Sequence, residues 1–101
     1  MGKNRIIKSM GKIIGNIVVH KILVNHTNRP ESLHHLRSEV NTYRDNVFGI
    51  AQEYNWNESD KNKIKEESSK EFKNRMQRYP DVKYALKEAN KLIDETINEI
   101  I

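Results

Sequence analysis

The chain has 101 residues and carries 18 Lys and Arg against 14 Asp and Glu, which gives a formal net charge of +4. This length suffices for one domain, residues 1–101, and the absence of cysteine excludes disulfides and thiolate metal sites. A chain without cysteine, and without the roughly twenty consecutive apolar residues of a membrane span, is expected to be cytoplasmic.

The first thirty residues hold six basic side chains and no acidic one, and they are rich in isoleucine and valine. Apolar residues spaced three, four and seven apart predict a helix over residues 4–24 with one buried face. Lys8, Lys12 and Asn16 fall on the opposite side of this helix. That side is expected to face solvent.

Three features of this segment depart from a simple amphipathic helix. Gly11 and Gly15 weaken a helix by about 1 kcal/mol each, but on the flank of the buried face they would let a neighbouring helix come close. Lys21 projects into the apolar face, so it must extend towards solvent or mark a break. The β-branched stretch 16–24 also suits a strand, which would need a partner strand from a second copy.

A second helix is predicted over residues 29–54, after a turn in which Asn28 caps the helix and Pro30 occupies its first turn. Its apolar residues alternate three and four apart through three heptads, which is the spacing of a bundle or coiled-coil seam. The seam consists of Leu33, Leu36, Val40, Tyr43, Val47, Ile50 and Tyr54.

Two further helices, over residues 58–79 and 80–100, complete an all-α fold, which short connections predict to be an antiparallel four-helix bundle. Asn57 or Ser59 caps the third helix, whose thin apolar stripe should make it the most exposed of the four. Pro80 is expected in the first turn of the fourth helix. The buried stripes are Ile64, Phe72, Met76 and Tyr79 in the third helix, and Val82, Leu86, Ala89, Ile93, Ile97 and Ile100 in the fourth.

The histidines are the residues best suited to chemistry, but no motif unites them. Glu31, His35 and Glu39 are four apart on helix two, a spacing that suits a metal site and equally an exposed row of charges. Arg29 and His34 have the spacing found in some helical ribonucleases of toxin systems, so a helical nuclease-like enzyme is a second alternative function. Neither pattern is specific, and no catalytic residue, metal ligand or cofactor is predicted.

Nucleic acid is the first alternative partner, because the cations cluster at the start of helix one and the pI is about 9.4. Clustered cations attract phosphate without any sequence specificity. The candidate nucleic-acid-binding residues are Lys3, Arg5, Lys8 and Lys12. A cationic amphipathic helix also suits a membrane surface, although its isoleucines suit a protein core equally well.

The leading interpretation is a non-enzymatic helical module that functions by protein association, as a homodimer. Helices one, two and four present more apolar surface than helix three can cover, and such a surplus is expected to meet a second copy or another protein. Phe48 lies off the seam of helix two and could mark a second contact surface. The expected core or interface positions are Ile6, Met10, Ile13, Ile17, Val40, Val47 and Ile50.

Overall fold

The structure is a computed structural model of the chain. It describes the backbone of residues 2–26 and 30–101, and the side chains of residues 3–26 and 37–101. No helix within these ranges is both long enough and apolar enough to cross a membrane.

Four α-helices pack against one another, which confirms the predicted all-α four-helix bundle. The stretch 16–24 is helical, so the alternative of a strand there is wrong. The helices are α1 (Gly2–His26), α2 (Pro30–Ala51), α3 (Glu58–Met76) and α4 (Leu86–Ile100).

The helices α1 and α3 are parallel neighbours. Lys3, near the start of α1, forms an ion pair with Asp60 in the first turn of α3. Gly15, three turns further along α1, lies against Glu71, three turns further along α3. The two helices therefore advance together, and α1 makes its most extensive contact with α3.

Both α2 and α4 run antiparallel to α1. The end of α1 meets the start of α4, where His26 contacts Glu88, whereas Lys21 reaches Thr96 further along α4. In the same way, His20 contacts the first half of α2, whereas the start of α1 lies beside the turn after α2. Consecutive helices thus alternate in direction, but within the described residues α2 and α3 do not pack together, and α1 contacts all three other helices.

The middle of α1 is buried around its whole circumference. Residues 14–19 are all buried, and this run is longer than the 3.6 residues of one helical turn. Asn16 is only 8% exposed, so the prediction that its side of the helix faces solvent is wrong there. A helix that is apolar on every side belongs in the interior of a bundle, and α1 is the central helix of this one.

Two glycines and a serine allow α1 and α3 to approach closely. A Cβ atom on Gly11 would lie 2.3 Å from the Cβ of Glu67, and one on Gly15 would lie 2.8 Å from the carbonyl oxygen of Ser68. Ser68 is fully buried, and its hydroxyl donates to the Ile64 carbonyl oxygen at 2.7 Å. The predicted close approach at the glycines is therefore confirmed.

The connection between α2 and α3 is tighter than the sequence predicts. α2 ends at Ala51 instead of 54, and the Trp56 indole donates to the Ala51 carbonyl oxygen at 2.9 Å, which satisfies one free group at the helix end. α3 begins with a capping box in which Asn57 and Asp60 bond to each other's backbone N–H groups. The prediction of Asn57 as a cap is confirmed.

The fourth helix begins at Leu86, so the prediction that Pro80 starts it is wrong. α3 also ends at Met76 instead of 79. Between them lies a non-helical segment in which Val82 and Tyr84 pack on the core, and the Tyr84 ring meets the edge of Phe72 with centroids 5.3 Å apart. This tertiary contact outweighs the local preference of proline for a helix start, and it leaves Leu86 60% exposed instead of buried.

Candidate functional site

Two of the four histidines have described side chains, and both link helices. The His20 ring lies between α1 and α2, where its Nδ1 faces the Asn16 carbonyl oxygen at 2.8 Å and its Nε2 pairs with Glu39. His26 lies 3.1 Å from Glu88 at the start of α4. The Nδ1 contact lies within α1 and orients the ring, whereas the Nε2 contact with Glu39 links α1 to α2.

The two histidine patterns predicted in helix two fall largely outside the described residues. The side chains of Glu31, His34 and His35 lie outside the described ranges, and so does Arg29. Among the side chains that are described, no group of three or more His, Asp or Glu residues could hold a metal ion.

Lys3 is engaged in the packing of the bundle. Its amine lies 2.7 Å from Asp60, donates to the Asn55 carbonyl oxygen at 2.8 Å, and sits 5.4 Å from the centroid of the Trp56 ring. These contacts join the start of α1 to the turn between α2 and α3. A phosphate ligand would have to compete with all of them for this amine.

The Asp60 carboxyl group makes the stability of the bundle depend on pH in the acidic range. The hydrogen bond from Lys3 lowers the pKa of Asp60, and the backbone N–H of Asn57 acts in the same direction, against the opposing effect of burial. A carboxyl group whose pKa is lowered by folding stabilises the protein above its unfolded pKa of about 3.9. This stabilisation is lost as the pH falls through the folded pKa.

We therefore expect Asp60→Asn to be less stable than the parent at neutral pH, and the difference to shrink as the pH falls from about 5 to about 2. Urea unfolding at several pH values measures it. Asp45→Asn, at an exposed position of α2, is the matched control and should follow the parent throughout. A constant deficit of Asp60→Asn across this pH range would contradict the assignment.

The other three predicted nucleic-acid-binding residues are exposed. Arg5, Lys8 and Lys12 lie on one side of the first half of α1, since spacings of three and four return to the same side of a helix. Within the described part of the chain none of them forms an ion pair. Lys8 lines a shallow hollow together with Lys63 of α3, a cation that the sequence analysis did not connect with the N-terminal cluster.

The seven predicted core or interface positions all pack in or against one core. Fully or largely buried are Met10, Ile17, Val40 and Val47; partly buried against the same core are Ile6, Ile13 and Ile50. The apolar residues of α1 therefore find their partners inside a single chain, and they do not by themselves require a second copy.

An aromatic corner lies where α2 ends and the last residues of the chain pass. We use this name for Phe48, Tyr54, Trp56 and Ile101, which line a hollow of about 370 Å³. Phe48 is 44% exposed, in keeping with its predicted position off the seam. The Tyr54 and Trp56 rings pack with centroids 5.7 Å apart.

A second cleft, of about 410 Å³, opens between α1, α2 and α4. It combines three cations with two carboxylates and an apolar wall. The lining residues are Lys21, Arg37 and Arg44; Glu95 and Glu99; and Val24, Val40 and Leu92, with Asn25 and Asn41 at the edge.

Lys21 shows how this cleft is held together. Its amine donates to the Thr96 hydroxyl at 2.7 Å and lies 3.7 Å from the Glu99 carboxylate. The same carboxylate forms an ion pair with Arg44 at 3.1 Å. Burial lowers the pKa of Lys21, a shift that the Glu99 charge opposes and the Arg44 charge reinforces. The helix continues through Lys21 without a break.

The position of Lys21 on an apolar face is evident from the sequence, but the cleft around it is not. Two spacings in the sequence do point to the charged walls of the cleft. Arg37 and Arg44 are seven apart on α2, and Glu95 and Glu99 are four apart on α4, so each pair lies on one side of its helix. Which helices face each other could not be read from these spacings.

Comparison of the chain with known protein families, with curated proteins and with solved structures finds no match in any of the three.

Proposed function

We propose that this chain is a non-enzymatic helical module that functions by protein association, and that its first partner is a second copy of itself at the aromatic corner. The observation that carries the proposal is the Phe48 side chain, which is 44% exposed and lines a hollow together with the Tyr54 and Trp56 rings. Exposed aromatic residues are enriched at protein interfaces.

We expect the aromatic corner to be complementary to the same surface of a second copy. Phe48 forms an exposed wall of the hollow, which Ala51, Trp56, Ile100 and Ile101 also line. In a two-fold dimer the same patch of both subunits meets itself, so a projection next to a hollow on one surface can fill the hollow of the partner while its own is filled. A second copy is therefore the partner that we propose for this surface.

The hollow is also preformed, which lowers the entropic cost of association. The Trp56 indole is fixed by its bond to the Ala51 carbonyl oxygen, and its ring is covered by the Lys3 amine. Lys3 is in turn held by Asp60. The aromatic corner can therefore receive a side chain without first rearranging.

Two buried hydroxyl groups, those of Ser68 and Thr96, support a role of the interior in packing and not in catalysis. The Ser68 hydroxyl donates to the Ile64 carbonyl oxygen, and the Thr96 hydroxyl donates to the Leu92 carbonyl oxygen at 2.7 Å. Both hydroxyls therefore bond to their own helices, one turn back. This arrangement satisfies buried donors and serves the packing of the bundle.

We expect the purified chain to sediment at high concentration with twice the 11.9 kDa mass of one chain, and the variant Phe48→Glu to sediment as a monomer, since a carboxylate at the centre of the interface would be buried without a partner. Analytical ultracentrifugation over a concentration series measures both. Circular dichroism should show unchanged helix content, because Phe48 is exposed.

Leu86→Glu is the matched control, since Leu86 is also an exposed apolar residue, 60% exposed, but lies at the start of α4. This variant should dimerise like the parent. A parent chain that stays monomeric at every concentration would overturn self-association. Equal dissociation by both variants, or a dimer that tolerates Phe48→Glu, would overturn the aromatic corner as its site.

A further inference from the structure

The outer side of the α1–α3 pair carries a double row of cations. Arg5, Lys8 and Lys12 are exposed along α1. Lys63 of α3 lines the same hollow as Lys8, and Lys70 lies two turns further along the same side of α3, where its side chain is 76% exposed. We call these five residues the basic face.

The backbone geometry brings the two rows together. The helices are parallel and in close contact at Gly11 and Gly15, so cations on α1 lie beside cations on α3 at a similar height. Two acidic residues share this surface: Glu66 lines the hollow, and Glu67 lies 3.9 Å from Lys70. This surface therefore carries five positive and two negative charges. Its excess of positive charge accounts for much of the chain's net charge.

The chemistry of the basic face fits the phosphate backbone of a duplex. We propose that it binds double-stranded nucleic acid without sequence specificity. A duplex carries one negative charge per about 1.7 Å of its axis, and neutralising its phosphates with lysine and arginine releases bound counterions. An α-helix rises about 1.5 Å per residue. The charges of Arg5, Lys8 and Lys12 therefore extend over about 10 Å, along which they can contact successive phosphates of one nucleic-acid strand.

A membrane surface fits less well. A helix that lies in a membrane interface inserts its apolar face among the lipids. In α1 that face is buried in the bundle, where Met10, Ile14 and Ile17 have no exposed surface. The basic face would meet a membrane through charge alone.

A single strand also fits less well than a duplex, because proteins bind single strands by stacking bases on aromatic side chains. In the described part of the chain, the large exposed apolar side chains are Phe48, Tyr79 and Leu86. None of them lies on α1 or within α3. Backbone contact is therefore the mode that this surface supports.

The test compares two triple variants that change the net charge equally. Arg5→Glu with Lys8→Glu and Lys63→Glu reverses the basic face, whereas Lys83→Glu with Lys87→Glu and Lys91→Glu reverses three exposed cations before and within α4. Binding to a random-sequence duplex is followed by fluorescence anisotropy at about 50 mM salt and at increasing salt.

We expect the parent and the α4 variant to bind with similar affinity, and the basic-face variant to bind at least about tenfold more weakly, with a salt slope shallower by about one for each phosphate contact removed. Equal loss in both variants, or no binding by the parent at low salt, would overturn the proposal. So would tighter binding to vesicles rich in anionic lipid, or to a single strand, than to the duplex. The aromatic corner contributes no residue to this face, so the proposed dimer and this proposal fail separately.

Discussion

Replacing both contact glycines, Gly11→Ala with Gly15→Ala, should lower the free energy of unfolding by about 2–4 kcal/mol. A Cβ atom at position 11 would lie 2.3 Å from the Cβ of Glu67, and one at position 15 would lie 2.8 Å from the Cβ of Glu71. Neither neighbour is the flexible end of a side chain, so α1 and α3 must move apart and lose contact along their whole crossing.

The size of this effect follows from two opposing terms. Overpacking a well-packed contact costs typically 1–3 kcal/mol per site, and the upper part of this range, about 2–3 kcal/mol, applies here because the atoms in the way are backbone and Cβ atoms. Alanine recovers about 1 kcal/mol of helix propensity at each position. The net loss should lower the melting temperature of a domain of this size by about 10 °C or more.

Gly49→Ala is the control for the propensity term. A Cβ atom at Gly49 meets nothing within 4 Å, so this variant gains propensity without a clash and should be more stable than the parent by up to about 1 kcal/mol. Urea and thermal unfolding of the three proteins measure the difference. A double variant as stable as Gly49→Ala would mean that α1 and α3 do not meet at the glycines.

The sequence was sufficient to predict the number and type of the helices, because their apolar spacings of three and four are regular. It also predicted the Asn57 cap and the exposure of Phe48, which depend on local pattern. The arrangement around α1 was harder to predict. The spacing predicts one exposed side along the whole helix, whereas that side of α1 is exposed near Lys12 and buried near Val19.

The contacts missed by the sequence analysis are those that join distant parts of the chain. The local pattern places Lys3 in a cluster of cations, but its partner Asp60 lies 57 residues away, beyond any local pattern. Pro80 satisfies the local rule for a helix start, yet packing of Tyr84 on Phe72 keeps the segment before Leu86 non-helical. In both cases tertiary contacts outweigh a correct local preference.

Val19 tests most directly whether α1 is the buried core helix of the bundle. Val19 is 2% exposed, although it lies seven residues after Lys12 and therefore on the same side of the helix. An amphipathic surface helix would leave this side in solvent. Only a central helix buries it.

The measurement is the free energy of unfolding of Val19→Asn beside Lys12→Asn, by urea denaturation. Val19→Asn removes about 1.5 kcal/mol or more of apolar burial and buries an amide that costs about 1–3 kcal/mol, so we expect a loss of about 3–4 kcal/mol. Lys12→Asn should stay within about 0.5 kcal/mol of the parent. A loss below about 1 kcal/mol for Val19→Asn would show that this side of α1 faces water and would contradict the central position of the helix.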